Sequence, residues 1–134
     1  MKLYVDDIRE VPDESWTLVR TITEAIRFIA RYKSEIKEIS LDHDISFDVR
    51  VENTYRPFPS PDNFTAVAYF IGEVYFINRQ FDTSEYAIMC PRTCPKVTAH
   101  TANPVGAESI KNILEGNYGI PVEIKMMGQA HRPK

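Results

Sequence analysis

Residues Glu38 to Ile45 read EISLDHDI. Apolar side chains lead in, and the run then stops on Asp42, His43 and Asp44. An ordinary buried strand does not end this way, because each carboxylate must be solvated, paired or placed on a cation. The chain opens on a related pattern: residues 2–9 read KLYVDDIR, a short apolar run that stops on Asp6 and Asp7. Two strands that each deliver a pair of acids decide how the rest of the chain is read.

Outward from these two runs, strands and helices alternate. KLYV is followed by a polar loop and by WTLVRT, residues 16–21, as a second strand. Thr21 and Glu24 have the spacing of a capping box. Behind them Ile22, Ala25, Ile26, Ile29, Tyr32 and Ile36 recur at helical spacing, which predicts a helix with one apolar face. After the third strand, residues 46–62 carry three prolines among polar residues and read as a long surface loop. Ser60 and Pro61 fit an N-cap and first helical position. Residues 63–78 then keep a 3.6 period through Phe64, Val67, Ala68, Ile71, Val74 and Tyr75, predicting an apolar helix; two strands turning at Gly72 are the competing reading. Residues 79–95 are ambiguous. KVTAHT (96–101) is a strand, GAESIKNILEGN (106–117) a helix stopped at Gly116, and PVEIKMM (121–127) a last strand before a polar tail.

Such alternation predicts an α/β fold, a mainly parallel central sheet flanked by helices. Ligands of these sheets sit beyond the C-terminal strand ends. That rule gathers Asp6 and Asp7, then Asp42, His43 and Asp44, then His100, Thr101 and Asn103, with Lys125 near the end of the last strand. One crevice is expected to hold them.

The bulk properties narrow the classes. With 134 residues, 43% hydrophobic and 26% charged, the chain reads as one globular domain. A net charge of −3 argues against generic DNA binding. No run approaches the roughly 20 apolar residues of a membrane span, and no export signal is evident. Two cysteines then suit a reducing compartment, so the expected location is cytoplasmic, or the host cytosol if the chain is viral.

The residues LYVDDIR, SLDHDI and HTANPVG, in that order, resemble the cyclic-phosphate processing receiver-like domain, an offshoot of the response-regulator receiver fold. The resemblance covers residues 2–48 and 96–115. It implies a single receiver-like (flavodoxin-like) domain over residues 1–127, with an enlarged segment at about 47–95 and a polar tail at 128–134. It also implies a phosphoesterase acting on a 2′,3′-cyclic phosphate RNA end or a cyclic nucleotide. Two other readings stay open. One is a binding protein that sequesters a cyclic nucleotide immune signal, as a phage counter-defence protein would; the other is a phospho-accepting receiver. Histidines beside the acids, and no obvious helix between the first two strands, set the chain apart from signalling receivers.

Chemistry assigns provisional roles. Acids brought together raise one another's pKa unless a cation neutralises them, so Asp6, Asp7, Asp42 and Asp44 are candidate ligands of Mg²⁺ or Mn²⁺. The plainer alternative pairs Asp7 with Arg9 and has Asp44 cap a turn. His43 and His100, with Asp42, are candidate catalytic residues, because histidine titrates near neutrality; a softer metal or a polar cluster would also use them. Arg9, Thr101, Asn103, Gly106 and Lys125 are candidate substrate contacts, unless Asn103 and Pro104 only start a helix. Trp16, Tyr55, Phe58 and Phe81 are candidate stacking residues for a base. Cys90 and Cys94 lack the second pair that a structural zinc site needs. Part of the apolar helix around Phe70 is a candidate homo-oligomer surface.

Overall fold

The computed structural model describes residues 1–44, 63–80 and 94–128. Strands β1 (Lys2–Val5), β2 (Trp16–Val19), β3 (Glu38–Leu41), β4 (Lys96–Thr101) and β5 (Val122–Met126) form one sheet, interleaved with helices α1 (Ile22–Tyr32), α2 (Thr65–Gln80) and α3 (Pro104–Lys111). The strand order is β2-β1-β3-β4-β5, and every pairing is parallel. Chain direction across the sheet reverses between β1 and β3, the kind of switch point where such folds open a ligand crevice. The two strands that end in acids flank it.

Strand alternation sorts the side chains onto two faces. Leu3, Val5, Val19, Ile39, Leu41, Val97, Ala99 and Val122 share one face, and all are buried. Ala25 and Ile29 of α1, Val67, Ala68, Ile71 and Tyr75 of α2, and Ile110 of α3 join them in a single core. The links from β2 to β3, β3 to β4 and β4 to β5 all step the same way across the sheet. Right-handed crossovers therefore place all three helices on one face. Only the β1–β2 link steps the other way, and its ten residues, 6–15, contain no helix. Among the described residues, the second face therefore carries no helix. Parallel sheets are ordinarily covered on both faces. Here the second face carries a buried row of Tyr4, Ser40 and His100 beside Trp16 and Leu18, with Lys2, Glu38, Lys96, Thr98, Glu123 and Lys125 around it, so most of its side chains are polar.

The helices begin where capping chemistry permits. Thr21 caps α1, accepting from the Glu24 amide at 3.1 Å, and its hydroxyl donates to the Glu24 carboxylate at 3.0 Å, so the pair meets at the expected helix start through the two side chains. The apolar period of residues 63–78 makes a helix, and the pair-of-strands reading is excluded. It runs over Thr65–Gln80, and Asn63 just before it accepts from the Thr65 amide at 3.0 Å. Just before it, the Phe64 amide donates to the His43 carbonyl at 2.7 Å and Asn63 bridges to Asp44, which ties α2 to the end of β3. Gly72 on α2 lies against the Tyr118 ring, where any Cβ would overlap it. After α3 the helix widens into a π-helical turn over Asn112–Gly116, burying Ile113 and Leu114 together. Ser60, Pro61, Tyr55, Phe58, Phe81 and Cys90 lie outside the described residues.

Candidate active site

Asp6 is the first residue past β1 and is fully buried. Its Oδ1 accepts from the Ile8 and Arg9 amides, both at 2.9 Å, so the chain turns sharply around the carboxylate. The turn swings Arg9 back, and its Nη1 stands 3.2 Å from Asp6 Oδ2 and 3.5 Å from Asp42 Oδ2. Arg9 Nη2 donates to the Gly128 carbonyl at 2.9 Å, which fastens the guanidinium beyond β5 as well. On the other side, His100 Nε2 lies 2.9 Å from Asp6 Oδ2. His100 Nδ1 lies 2.7 Å from Ser40 Oγ, and Tyr4 stacks on the imidazole with centroids 4.2 Å apart.

Asp42 is the equivalent residue past β3. Its Oδ1 accepts from the His43 amide at 2.8 Å, and the Thr101 side chain lies close enough to favour its ionised form. The two buried acids have opposite fates. Burial, reinforced by the Asp6 charge, pushes the Asp42 pKa up to about 7. Burial acts on Asp6 in the same sense, but hydrogen bonds from His100 and from the Arg9 and Ile8 amides outweigh it and hold its pKa at about 2. Burial also lowers the His100 pKa, so a neutral imidazole is favoured. Asp6 can then only accept, so Nε2 carries the ring proton and Ser40 donates to Nδ1. Neighbouring carboxylates driven apart in pKa are a common arrangement for proton transfer near neutral pH.

These residues meet at a crevice of about 550 Å³, lined by Asp6, Asp7, Arg9, Asp42, Asp44, Thr101 and Asn103 among others. Asp6, Asp42 and His100 each offer an atom within 4.8 Å of the others, a set that fits a divalent cation. Of the four acids expected as ligands, Asp6 and Asp42 belong to that set, joined by His100 in place of Asp7 and Asp44. The Asp44 carboxylate takes His43 Nδ1 at 2.7 Å and Asn103 Nδ2 at 3.3 Å. Arg9, expected beside Asp7 in the plainer reading, bridges Asp6 and Asp42.

The remaining candidates divide. Asn103 caps α3, its Oδ1 accepting from the Val105 and Gly106 amides, with Pro104 in the first turn. Those amides are thereby engaged, and Asn103 still lines the crevice. His43 lies over Gly106, where a Cβ would come within 2.5 Å of its ring. Gly106 therefore makes room for His43. Lys125 pairs in register with His100 and lines a separate groove on the helix-free face, as does His100 itself. Ser40 and Tyr4, which hold His100 from below, were not singled out by the sequence. The signal was there: Ser40 is a polar residue inside the apolar run EISL, two positions before Asp42 and so on the same face.

A family model, the cyclic-phosphate processing receiver domain, matches residues 1–116. The chain belongs to that family. No curated protein and no solved structure gives a significant match. In this cyclic-phosphate processing receiver domain, no helix among the described residues is long and apolar enough to cross a membrane.

Proposed function

We propose that the crevice binds a cyclic phosphate and hydrolyses it to a monoester, with a divalent cation at Asp6, Asp42 and His100. The observation that carries this is a pair of buried carboxylates bridged by one guanidinium at 3.2 and 3.5 Å, with one of them, Asp6, 2.9 Å from a buried imidazole. A cation bound there would polarise the phosphoryl oxygen and activate water. Mixed carboxylate and imidazole donors favour Mn²⁺ over Mg²⁺. With a cation present, His100 would present Nε2 unprotonated and donate from Nδ1 to Ser40, so Ser40 serves either tautomer.

The chain's own groups supply the rest. Arg9 presents donors for phosphate oxygens at the crevice edge. Without a cation Asp42 holds its proton up to about pH 7; a bound cation would displace that proton and leave an ionised carboxylate that orients the attacking water by accepting a hydrogen bond from it. Asp6, ionised throughout, anchors His100 and Arg9. Water adds to phosphorus, one P–O bond of the ring breaks, and the freed sugar oxygen receives the proton. This reading uses His100 and Asp42 as ligands and leaves His43, held against Asp44 at 2.7 Å, as the proton carrier that takes the water's proton and returns one to the sugar oxygen.

One observation favours the second reading, sequestration without cleavage. Arg9 already offers positive charge to both acids, so the crevice can hold an anion without a metal. Incubating the protein with 2′,3′-cyclic nucleotides, 3′,5′-cyclic nucleotides and cyclic-phosphate RNA, with and without Mn²⁺ or Mg²⁺, separates the two. Monoester product that needs the metal supports hydrolysis. Intact ligand recovered after denaturation supports sequestration, and neither product nor bound ligand would exclude both.

A further inference from the structure

The helix-free face of the sheet holds a groove of about 790 Å³, larger than the acid crevice. Ile8, Arg9 and Met127 line both, so the two spaces adjoin at these residues. The groove floor is a row of rings. Trp16 meets the edge of Tyr4 at 5.7 Å, Tyr4 stacks on His100 at 4.2 Å, and His100 touches Asp6. Tyr4 and His100 are buried, whereas Trp16 is only half-buried and presents the accessible ring of the row. Thr98 opens onto the middle of the groove, and Lys125 stands beside His100 where groove and crevice join.

The register gives the groove a length. Trp16 pairs with Lys2, four residues before Asp6, and at about 3.3 Å per strand residue the two rows lie roughly 13 Å apart. That exceeds the reach of one nucleoside from its own cyclic phosphate. We infer that the groove receives a second nucleotide, its base against Trp16 and its linking phosphodiester beside Lys125, so that the ligand is at least a dinucleotide. Charge fits this placement. Lys125 and Arg9 lie at the crevice end, where the linking phosphate would pass, while toward the Trp16 row Glu38 lies beside Lys2 and Lys96, and Lys96 pairs with Glu123 at 3.4 Å, so the charges balance where a neutral base would sit. Lys2 Nζ, 5.2 Å from the indole centroid, shows that this ring already attracts a positively polarised partner. A base would take over that contact by stacking. The inference rests on the crevice taking the cyclic phosphate.

Trp16 is the single tryptophan of the chain, so its fluorescence reports on the groove alone. The probes are a dinucleotide with a terminal 2′,3′-cyclic phosphate, the matching mononucleotide, and a cyclic phosphodiester of glycerol that lacks a base. The dinucleotide should quench Trp16 and bind at least tenfold more tightly than the mononucleotide, since one stacked base contributes about 1–3 kcal/mol. Trp16→Phe should keep that advantage in calorimetry, whereas Thr98→Leu, which fills the groove, should remove it and leave the glycerol diester's affinity unchanged. Lys125→Ala should weaken the dinucleotide more than the mononucleotide. Equal affinities for dinucleotide and mononucleotide, with no quenching, would overturn the groove while leaving the crevice reading intact. Failure of all three probes to bind would overturn the crevice reading and the inference with it.

Discussion

Asp42 makes the protein's stability depend on pH in an unusual direction. Folded, it keeps its proton up to about pH 7; unfolded, it releases it near its ordinary value of 3.8. Between those values the folded state binds more protons, so the stability that protonated Asp42 permits is complete below about pH 4 and drains away as the pH rises toward 7. Asp6 works oppositely: its contribution is present above 3.8 and disappears only as the pH falls through about 2. In the presence of a chelator, the melting temperature should therefore drop from pH 5 to pH 8. Asp42→Asn should flatten the drop and raise stability at pH 8, by an amount on the order of 3 kcal/mol. A wild-type profile that rises over this interval would contradict the assignment. A second residue-scale test concerns the contact between Gly106 and His43. Gly106→Ala should cost about 1–3 kcal/mol through overpacking, and much less in a His43→Ala background.

Among the elements, α3 and α2 offer the sharpest tests. Asn103→Ala removes the side chain that caps two amides and reaches Asp44, so a loss of about 1–2 kcal/mol is expected in denaturant unfolding. Gly72→Ala would drive a methyl group into the Tyr118 ring and release its hydroxyl, which donates to Glu73 at 2.7 Å. It should destabilise α2 even though alanine is the better helix former, by more than the propensity gain of about 1 kcal/mol. Most of the elements were legible in the sequence. The apolar runs KLYV, EISL and KVTAHT fixed β1, β3 and β4, and the Thr21–Glu24 spacing fixed where α1 begins. The expected cap at Ser60–Pro61 lies outside the described residues, whereas Asn63, just before α2, is held by a long-range bridge to Asp44 that no local pattern reveals. The site was legible only as a set of strand ends. Strand order decides that Arg9 reaches Asp42 and that His100, rather than Asp7, completes the buried set.

For the whole molecule, cation binding should read out as thermal stability. A ligand that binds only the folded state stabilises it by about 2.7 kcal/mol at a concentration a hundred times its Kd. Millimolar Mn²⁺ should raise the melting temperature at pH 8, and Asp6→Asn and His100→Ala should each abolish the rise. An unchanged transition in the wild type would remove the cation from the proposed chemistry. The sheet with helices on one side bears on a different quantity, the heat capacity. Among the described residues its second face carries no helix and presents Lys2, Glu38, Lys96, Thr98, Glu123 and Lys125 around the buried Tyr4, Ser40 and His100, so melting uncovers less new apolar surface there than in a sheet sandwiched between two helical layers. The heat-capacity increment should then fall at or below the low end of the usual range, about 12 cal/mol/K per residue. Calorimetry should show a shallow, broad stability curve, in which cooling below room temperature costs this fold less than it costs a three-layer relative of the same length.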